Sequence, residues 1–250
     1  MMIAGASALI LAGYGIYKYM RSGGAAQEET KQQVQSARKN TTPAEGSGDP
    51  FFTDPGYDTN HYLTKIEAAN RSKVVSDVKY TMILGLVKGG GTYHGKITID
   101  YNLNKVSKAY SPEGDNTECL FIDYKGKEIR SLLVNGQLIT QGNASQPIWM
   151  NHRIYIPPAN QVVGVNRAVI EFETFYVTDC QGFQYFKDDA DGSEYIYTEL
   201  EPDYCHICFP CFDQPDLKAT HKTCIVAPSD WTVIANSENI YQSKSFEAQS

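Results

Sequence analysis

"DVKYTMILGLVKGGGTYHGKITIDYNL", from Asp77 to Leu103, is the stretch whose reading decides the fold. Polar and apolar residues alternate on both sides of Gly89-Gly90-Gly91, and in the second half Ile97, Ile99 and Tyr101 fall on one face. A period of two marks a strand with one face buried, and a glycine run between two such stretches is where the chain reverses. Working outward, "TECLFIDYKG" (117–126), "IRSLLVNGQLI" (129–139), "HRIYIPP" (152–158) and "RAVIEFETFYV" (167–177) repeat the pattern, with Gly, Asn, Pro and Asp at short intervals between them. Short strands separated by turn signals predict a mainly β domain, a saddle-like antiparallel sheet or sandwich. One helix is expected, over "LTKIEAANRSKVV" (63–75), where Thr64 as N-cap and Glu67 three residues on form a capping box.

The totals agree with that class. The chain of 250 residues is 42% hydrophobic, enough to bury the core of one good-sized β domain. Its net charge of −7 is uneven, because residues 1–45 hold five basic against three acidic residues and the remainder holds 17 against 26. An acidic domain without a basic stripe has no electrostatic footprint for DNA or RNA, so nucleic acid is excluded as a partner.

The first residues read differently. "MMIAGASALILAGYGIYKYM" carries no charge until Lys18. It lacks the basic start of a signal peptide, and its length suits an uncleaved transmembrane helix over residues 1–21. Ala4, Ala8 and Ala12 recur every four residues, a small-residue face against which a partner helix can pack in the lipid bilayer. Lys18 and Arg21 follow the apolar run and favour a cytoplasmic or matrix location for what comes after. Residues 22–60 form a polar linker, with a short helix at 26–39, and the β domain occupies 61–250.

"CHICFPCFDQPDLKAT", from Cys205 to Thr220, sets three cysteines at equal spacing. Metal ligation, redox chemistry and plain packing are the alternatives. Three thiolates with His206 or His221 would make a four-ligand zinc set. Residues three apart on a strand point to opposite faces, however, and a cluster site wants a fourth cysteine close by, whereas Cys224 lies thirteen residues beyond Cys211. The expectation is packing, with no metal and no cofactor, and mostly free thiols in a reducing setting. "KDDADGSEY" (187–195) has part of a calcium loop's composition, but Lys187 and Thr198 stand at the first and twelfth positions, so it reads as a hairpin turn.

Four blocks in order carry a family resemblance: "LTKIEAANRSKVVSDVKYTMILGL…TYHGKITIDY", "FKDDADGSEYIYTELEP", "CFPCFDQPDLKAT" and "APSDWTVIANSE". Over residues 61–240 the chain resembles the N-terminal domain of the zinc aminopeptidases of the aminopeptidase N type, and "FPCFDQPDLKAT" is the most specific part. The resemblance implies an all-β saddle whose neighbouring domain holds zinc on H-E-x-x-H and the substrate's amine on G-x-M-E-N. Neither motif occurs here: none of His61, His94, His152, His206 and His221 precedes a Glu, and no Met precedes Glu-Asn. The sequence reads as ending where that catalytic domain would begin. By the same resemblance, the Gln that follows Tyr-Thr and contacts substrate is replaced by Glu199, with Glu201 as the acidic residue two positions on, a vestigial substrate-binding pair. Cys211 inherits a packing role. The family's Asp-Ala-(His or Arg)-Arg becomes Tyr204-Cys205-His206-Ile207, and Ile207 suits burial.

The functional expectation is a non-catalytic, membrane-anchored accessory subunit. It would sit among other subunits of a large membrane assembly, in the respiratory chain of the mitochondrial inner membrane. The alternatives are a module that binds a peptide N-terminus through Glu199 and Glu201, or one half of a split zinc aminopeptidase.

Overall fold

The structure, a computed structural model, describes residues 2–5, 62–140 and 148–237. In chain order these form β1 (Met2–Gly5), α1 (Lys65–Val74), β2 (Val75–Gly85), β3 (Thr92–Leu103), β4 (Phe121–Asp123), β5 (Glu128–Val134), β6 (Gln137–Leu138), β7 (Trp149–Met150) and β8 (Arg153–Tyr155). A single 3-10 turn (Pro158–Asn160) leads into β9 (Gly164–Phe175), β10 (Gly182–Lys187), β11 (Glu194–Glu199), α2 (Cys205–Cys208), β12 (Ala219–Val226) and β13 (Trp231–Ile234). The domain is mainly β, as its periodicity predicts.

Three sheets share one core. The largest runs β12-β2-β3-β9-β5-β6, the second β10-β11-β1-β13 and the third β4-β8-β7. All pairings are antiparallel except β12 with β2, which is parallel. Val78, Tyr80, Met82 and Leu84 of β2 point inward, and Ile97, Ile99 and Tyr101 of β3 are fully enclosed. Ile122 and Ile154 from the small sheet and Phe183, Ile196 and Trp231 from the second sheet complete the same cluster. Each such side chain contributes roughly 1.5–3 kcal/mol by leaving water. Backbones approach closely at the centre: Gly95 lies opposite Phe172 across the β3–β9 pair, and a Cβ on Gly95 would fall 2.5 Å from Phe172 Cζ.

The helix expected over 63–75 is α1. Its capping box is present, with Glu67 N–H donating to Thr64 Oγ1 at 3.2 Å and Thr64 N–H to Glu67 Oε2 at 2.8 Å. Other elements differ from the periodicity. The strand expected over 117–126 shrinks to β4, because Lys125 spends its N–H on His206 of α2 and Asp123 spends its backbone groups on Cys211 just after it. The stretch 129–139 is a hairpin rather than one strand. Asn135 and Gly136 take φ of 51° and 79°, the left-handed pair that a two-residue turn between right-twisted strands requires. "KDDADGSEY" is the expected hairpin turn, closed by Asp188 and Ser193 between β10 and β11.

The start of the chain corrects an expectation. Where the sequence predicts a transmembrane helix, Met2–Gly5 is a strand that pairs antiparallel with both β11 and β13. Ala4 sits opposite Tyr195 and Thr232 instead of on a helix face. The physical reason is pairing: β11 and β13 present facing edges, and a short extended segment between them satisfies the backbone groups of both. The rest of the expected helix, residues 6–21 with Ala8 and Ala12, and the linker 22–60 lie outside the described residues. Among the described residues no helix is long and apolar enough to cross a membrane.

Candidate functional site

β11 ends at Glu199, and the chain then turns through Glu201 into α2, so the two carboxylates and the cysteine segment lie at one end of the second sheet. Glu199 and Glu201 are exposed, and a Glu199 carboxylate oxygen accepts the Glu201 N–H at 3.3 Å. Opposite Glu199 in the ladder is Gly182, with φ of 75°. A Cβ there would lie 3.1 Å from Ile207 Cγ2 and 3.4 Å from Cys208 Sγ. The turn after Glu199 therefore folds α2 back over the end of β10, and Ile207 is buried as its substitution suggests.

α2 is one turn, too short to hold itself, and its carbonyls are satisfied from outside. Phe209 N–H bonds Cys205 O, Lys125 N–H bonds His206 O, Thr174 Oγ1 donates to Ile207 O at 3.1 Å and Tyr93 OH donates to Cys208 O at 2.8 Å. After Phe209 the chain extends, and Cys211 exchanges both backbone hydrogen bonds with Asp123. The cysteine run is thus a helical turn followed by a strand-like bridge, not the single strand that the spacing argument assumed.

That geometry separates the cysteines. Cys208 is fully buried, with its Sγ 3.9 Å from Tyr204 O. Cys205 and Cys211 come together instead: their Sγ atoms and a carboxylate oxygen of Asp213 all lie within 4.8 Å of one another. Burial, followed by the hydrogen bond and charge of Cys205, pushes the Cys211 thiol well above its ordinary value. Burial raises Cys208 in the same way and takes Cys224 to about 12. Asp213 Oδ2 accepts both the His206 backbone N–H, at 2.9 Å, and a hydrogen bond with His206 Nδ1, at 2.7 Å. His221 takes no part in this cluster and lies against the Tyr80 ring, 4.9 Å between centroids.

The rest of the F-D-Q-P block builds a charged seam. Asp213 N–H donates to Asp123 Oδ2 at 3.0 Å, and Arg71 Nη1 meets the same oxygen at 2.7 Å. Gln214 Oε1 accepts Arg71 Nε at 2.9 Å, while its amide nitrogen donates to Ala68 O. Glu67 pairs with Arg153 at 2.5 Å, and the Arg71 and Arg153 guanidiniums lie 4.6 and 4.3 Å from the centre of the Phe121 ring. Burial raises the Glu67 carboxyl, but the hydrogen bond from Arg153 and those of Thr64 outweigh it, leaving a net downward shift. The long-range pairs of this seam carry no periodic signal, and sequence reasoning finds only the Thr64–Glu67 contact within it.

By architecture the domain is a mainly β module in which one long sheet and two small ones close over one main core, with a small second cluster at Cys119, Phe121 and Tyr155. Residues 79–249 match the Peptidase M1 N-terminal domain, and the chain belongs to that family. It is 29% identical to the aminopeptidase N of Streptomyces lividans over 177 residues, which are 70% of this chain and 19% of that protein. A 52-residue stretch is 50% identical to a probable M1 family aminopeptidase 1 of Encephalitozoon cuniculi, covering 20% of this chain and 6% of that one. The chain thus spans less than a fifth of the length of these relatives. A yeast LTA4 hydrolase structure, solved in complex with bestatin, overlays with a TM-score of 0.47 at 16% identity, over 69% of this chain and 26% of the hydrolase.

Proposed function

We propose that this domain is the non-catalytic N-terminal module of an M1 aminopeptidase and that Glu199 receives the free amine of a peptide substrate. The zinc-bearing H-E-x-x-H wall belongs to a catalytic segment on the same polypeptide or on a second one. The observation that carries the reading is the family match over residues 79–249. Glu199 suits the role: it sits at the open end of β11, exposed, with its carboxylate engaged only by the Glu201 backbone N–H among the described residues. A carboxylate and an ammonium form a charge-assisted hydrogen bond, and the rigid ladder beneath fixes where it forms. The domain itself supplies no acid, base or nucleophile to this step. It orients the amine while the other wall does the chemistry.

The test is kinetic, on the domain together with its H-E-x-x-H segment. Glu199→Lys is expected to raise KM for an aminoacyl amide about tenfold or more, the worth of one hydrogen bond to a charged group. Unchanged kcat/KM would reduce Glu199 to a surface acid and remove the reading.

A second reading is a membrane-anchored accessory subunit of a mitochondrial inner-membrane assembly. One observation favours the covering partner that this reading requires. Leu138, Val162, Val163 and Val165 are exposed at 56, 48, 66 and 72%, and Asn160 bonds Gln137 to bring the two segments together. Apolar side chains grouped in this way suit a covering partner. Migration in a respiratory-size band on a native gel, with no zinc peptidase present, is the result expected of it.

A further inference from the structure

We propose that Cys205, Cys211 and Asp213 bind one zinc ion, as a clip between α2 and the strand-like segment that follows it. The donor set favours this chemistry. Two sulfurs and one carboxylate suit a borderline-soft cation, whereas magnesium and calcium take oxygen ligands alone. The spacing favours it as well. Two thiolates on a tetrahedral zinc are about 3.7 Å apart, from zinc–sulfur bonds of about 2.3 Å. The three donor atoms already lie within 4.8 Å, so small side-chain rotations bring them onto one ion.

The surroundings are arranged as a metal site needs. Cys211 is 2% exposed and held from both sides by its backbone bonds to Asp123, which makes it the fixed ligand. Cys205 and Asp213 are half-buried, which leaves a path for the ion to enter. His206 stands behind Asp213, its Nδ1 2.7 Å from Oδ2, and orients the carboxylate as outer partners of metal ligands do. Cys208 points away into the core and is not a ligand. Three protein ligands leave the fourth position to water. Binding displaces the two thiol protons to solvent and leaves both sulfurs as thiolates.

The location gives the clip a purpose. α2 begins a few residues after Glu199, and as a single turn it depends entirely on outside partners. A metal joining its first residue to Cys211 and Asp213 fixes the end of the sheet on which Glu199 sits.

The experiment uses the full chain, reduced with a phosphine, stripped by a chelator and titrated with zinc against a chromophoric chelator. Cobalt(II) then reports thiolate coordination by its charge-transfer absorption and tetrahedral d–d bands. One ion per chain is expected. Cys205→Ser weakens binding by about 100-fold or more and diminishes the charge-transfer band, as losing one of three ligands must. His206→Ala weakens it by about 10- to 100-fold with the cobalt bands retained, and Cys180→Ser, at an exposed cysteine outside the cluster, leaves it unchanged. Cys211 lies in the core and its replacement tests folding as much as binding, so the half-buried Cys205 is the decisive position. The proposal is overturned by sub-stoichiometric binding to the folded reduced chain, by wild-type affinity in Cys205→Ser, or by an equal loss in Cys180→Ser.

Discussion

The six-stranded sheet and the seam from α1 through Asp123 to Gln214 lie in one domain and are held by different forces. In the sheet, apolar side chains alternate inward and each contributes by leaving water, so the loss of any exposed polar residue is small. In the seam the buried groups are charged. Glu67, Arg71, Asp123 and Arg153 are each less than 9% exposed and depend on one another. A buried ion pair stabilises little compared with an apolar pair, but breaking one is costly because the remaining charge has no water to return to. At its exposed positions the sheet tolerates change residue by residue, and the seam fails as a unit.

The largest expected effect therefore belongs to the seam. Asp123→Ala strands the Arg71 guanidinium and removes the acceptor for Asp213 N–H, and is expected to cost about 3–5 kcal/mol by chemical denaturation. Lys79→Ala, exposed on β2, is expected to stay within about 0.5 kcal/mol. Similar losses at the two positions would break the contrast. The sheet has its own weak point at Gly95. A methyl there meets Phe172 and Leu84, and Gly95→Ala should cost about 1–3 kcal/mol in the same measurement. Next comes Thr64→Ala, which removes half the capping box of α1 and is worth about 1 kcal/mol.

The effect most easily altered by conditions is at Glu173, at the sheet's rim, because its partners Lys127 and Arg130 are each more than 40% exposed and screened by salt. Burial raises this carboxyl, but hydrogen bonds from Lys127 and Thr92 and the charge of Arg130 outweigh it and bring the value from 4.5 to about 2. A depressed carboxyl stabilises the fold above its unfolded value and loses that contribution as pH falls through the folded one. The stability gap between the chain and Glu173→Gln should be full above about pH 4.5, shrink toward pH 2 and narrow with added salt. A gap that grows on acidification would reverse the sign and refute the assignment.

The same contrast explains what the sequence reveals. β2, β3 and β9 are legible because period-two alternation is a local signal, and Thr64-x-x-Glu67 is legible because both ends of its contact lie within one turn. Arg71 and Asp123 are 52 positions apart and Arg71 and Gln214 are 143 apart, so nothing local marks them as partners. Cys205 and Cys211 were hidden for a different reason. Their convergence depends on a single helical turn whose carbonyls are capped by Tyr93, Lys125 and Thr174, none of them nearby in sequence. Met2–Gly5 misled because a short apolar run suits a membrane helix and a strand equally well, and only the facing edges of β11 and β13 decide between them. Glu199 and Glu201 were found through family resemblance, and the fold brings them to the end of β11 beside α2.

The most direct measurement is purification of this protein from its source by gentle solubilisation, with mass spectrometry of everything that co-migrates and an aminopeptidase assay on the same fractions. The account predicts an H-E-x-x-H segment, on this polypeptide or a co-migrating one, together with chelator-sensitive cleavage of aminoacyl amides. A stable assembly holding this domain with neither a zinc peptidase segment nor such activity would contradict it.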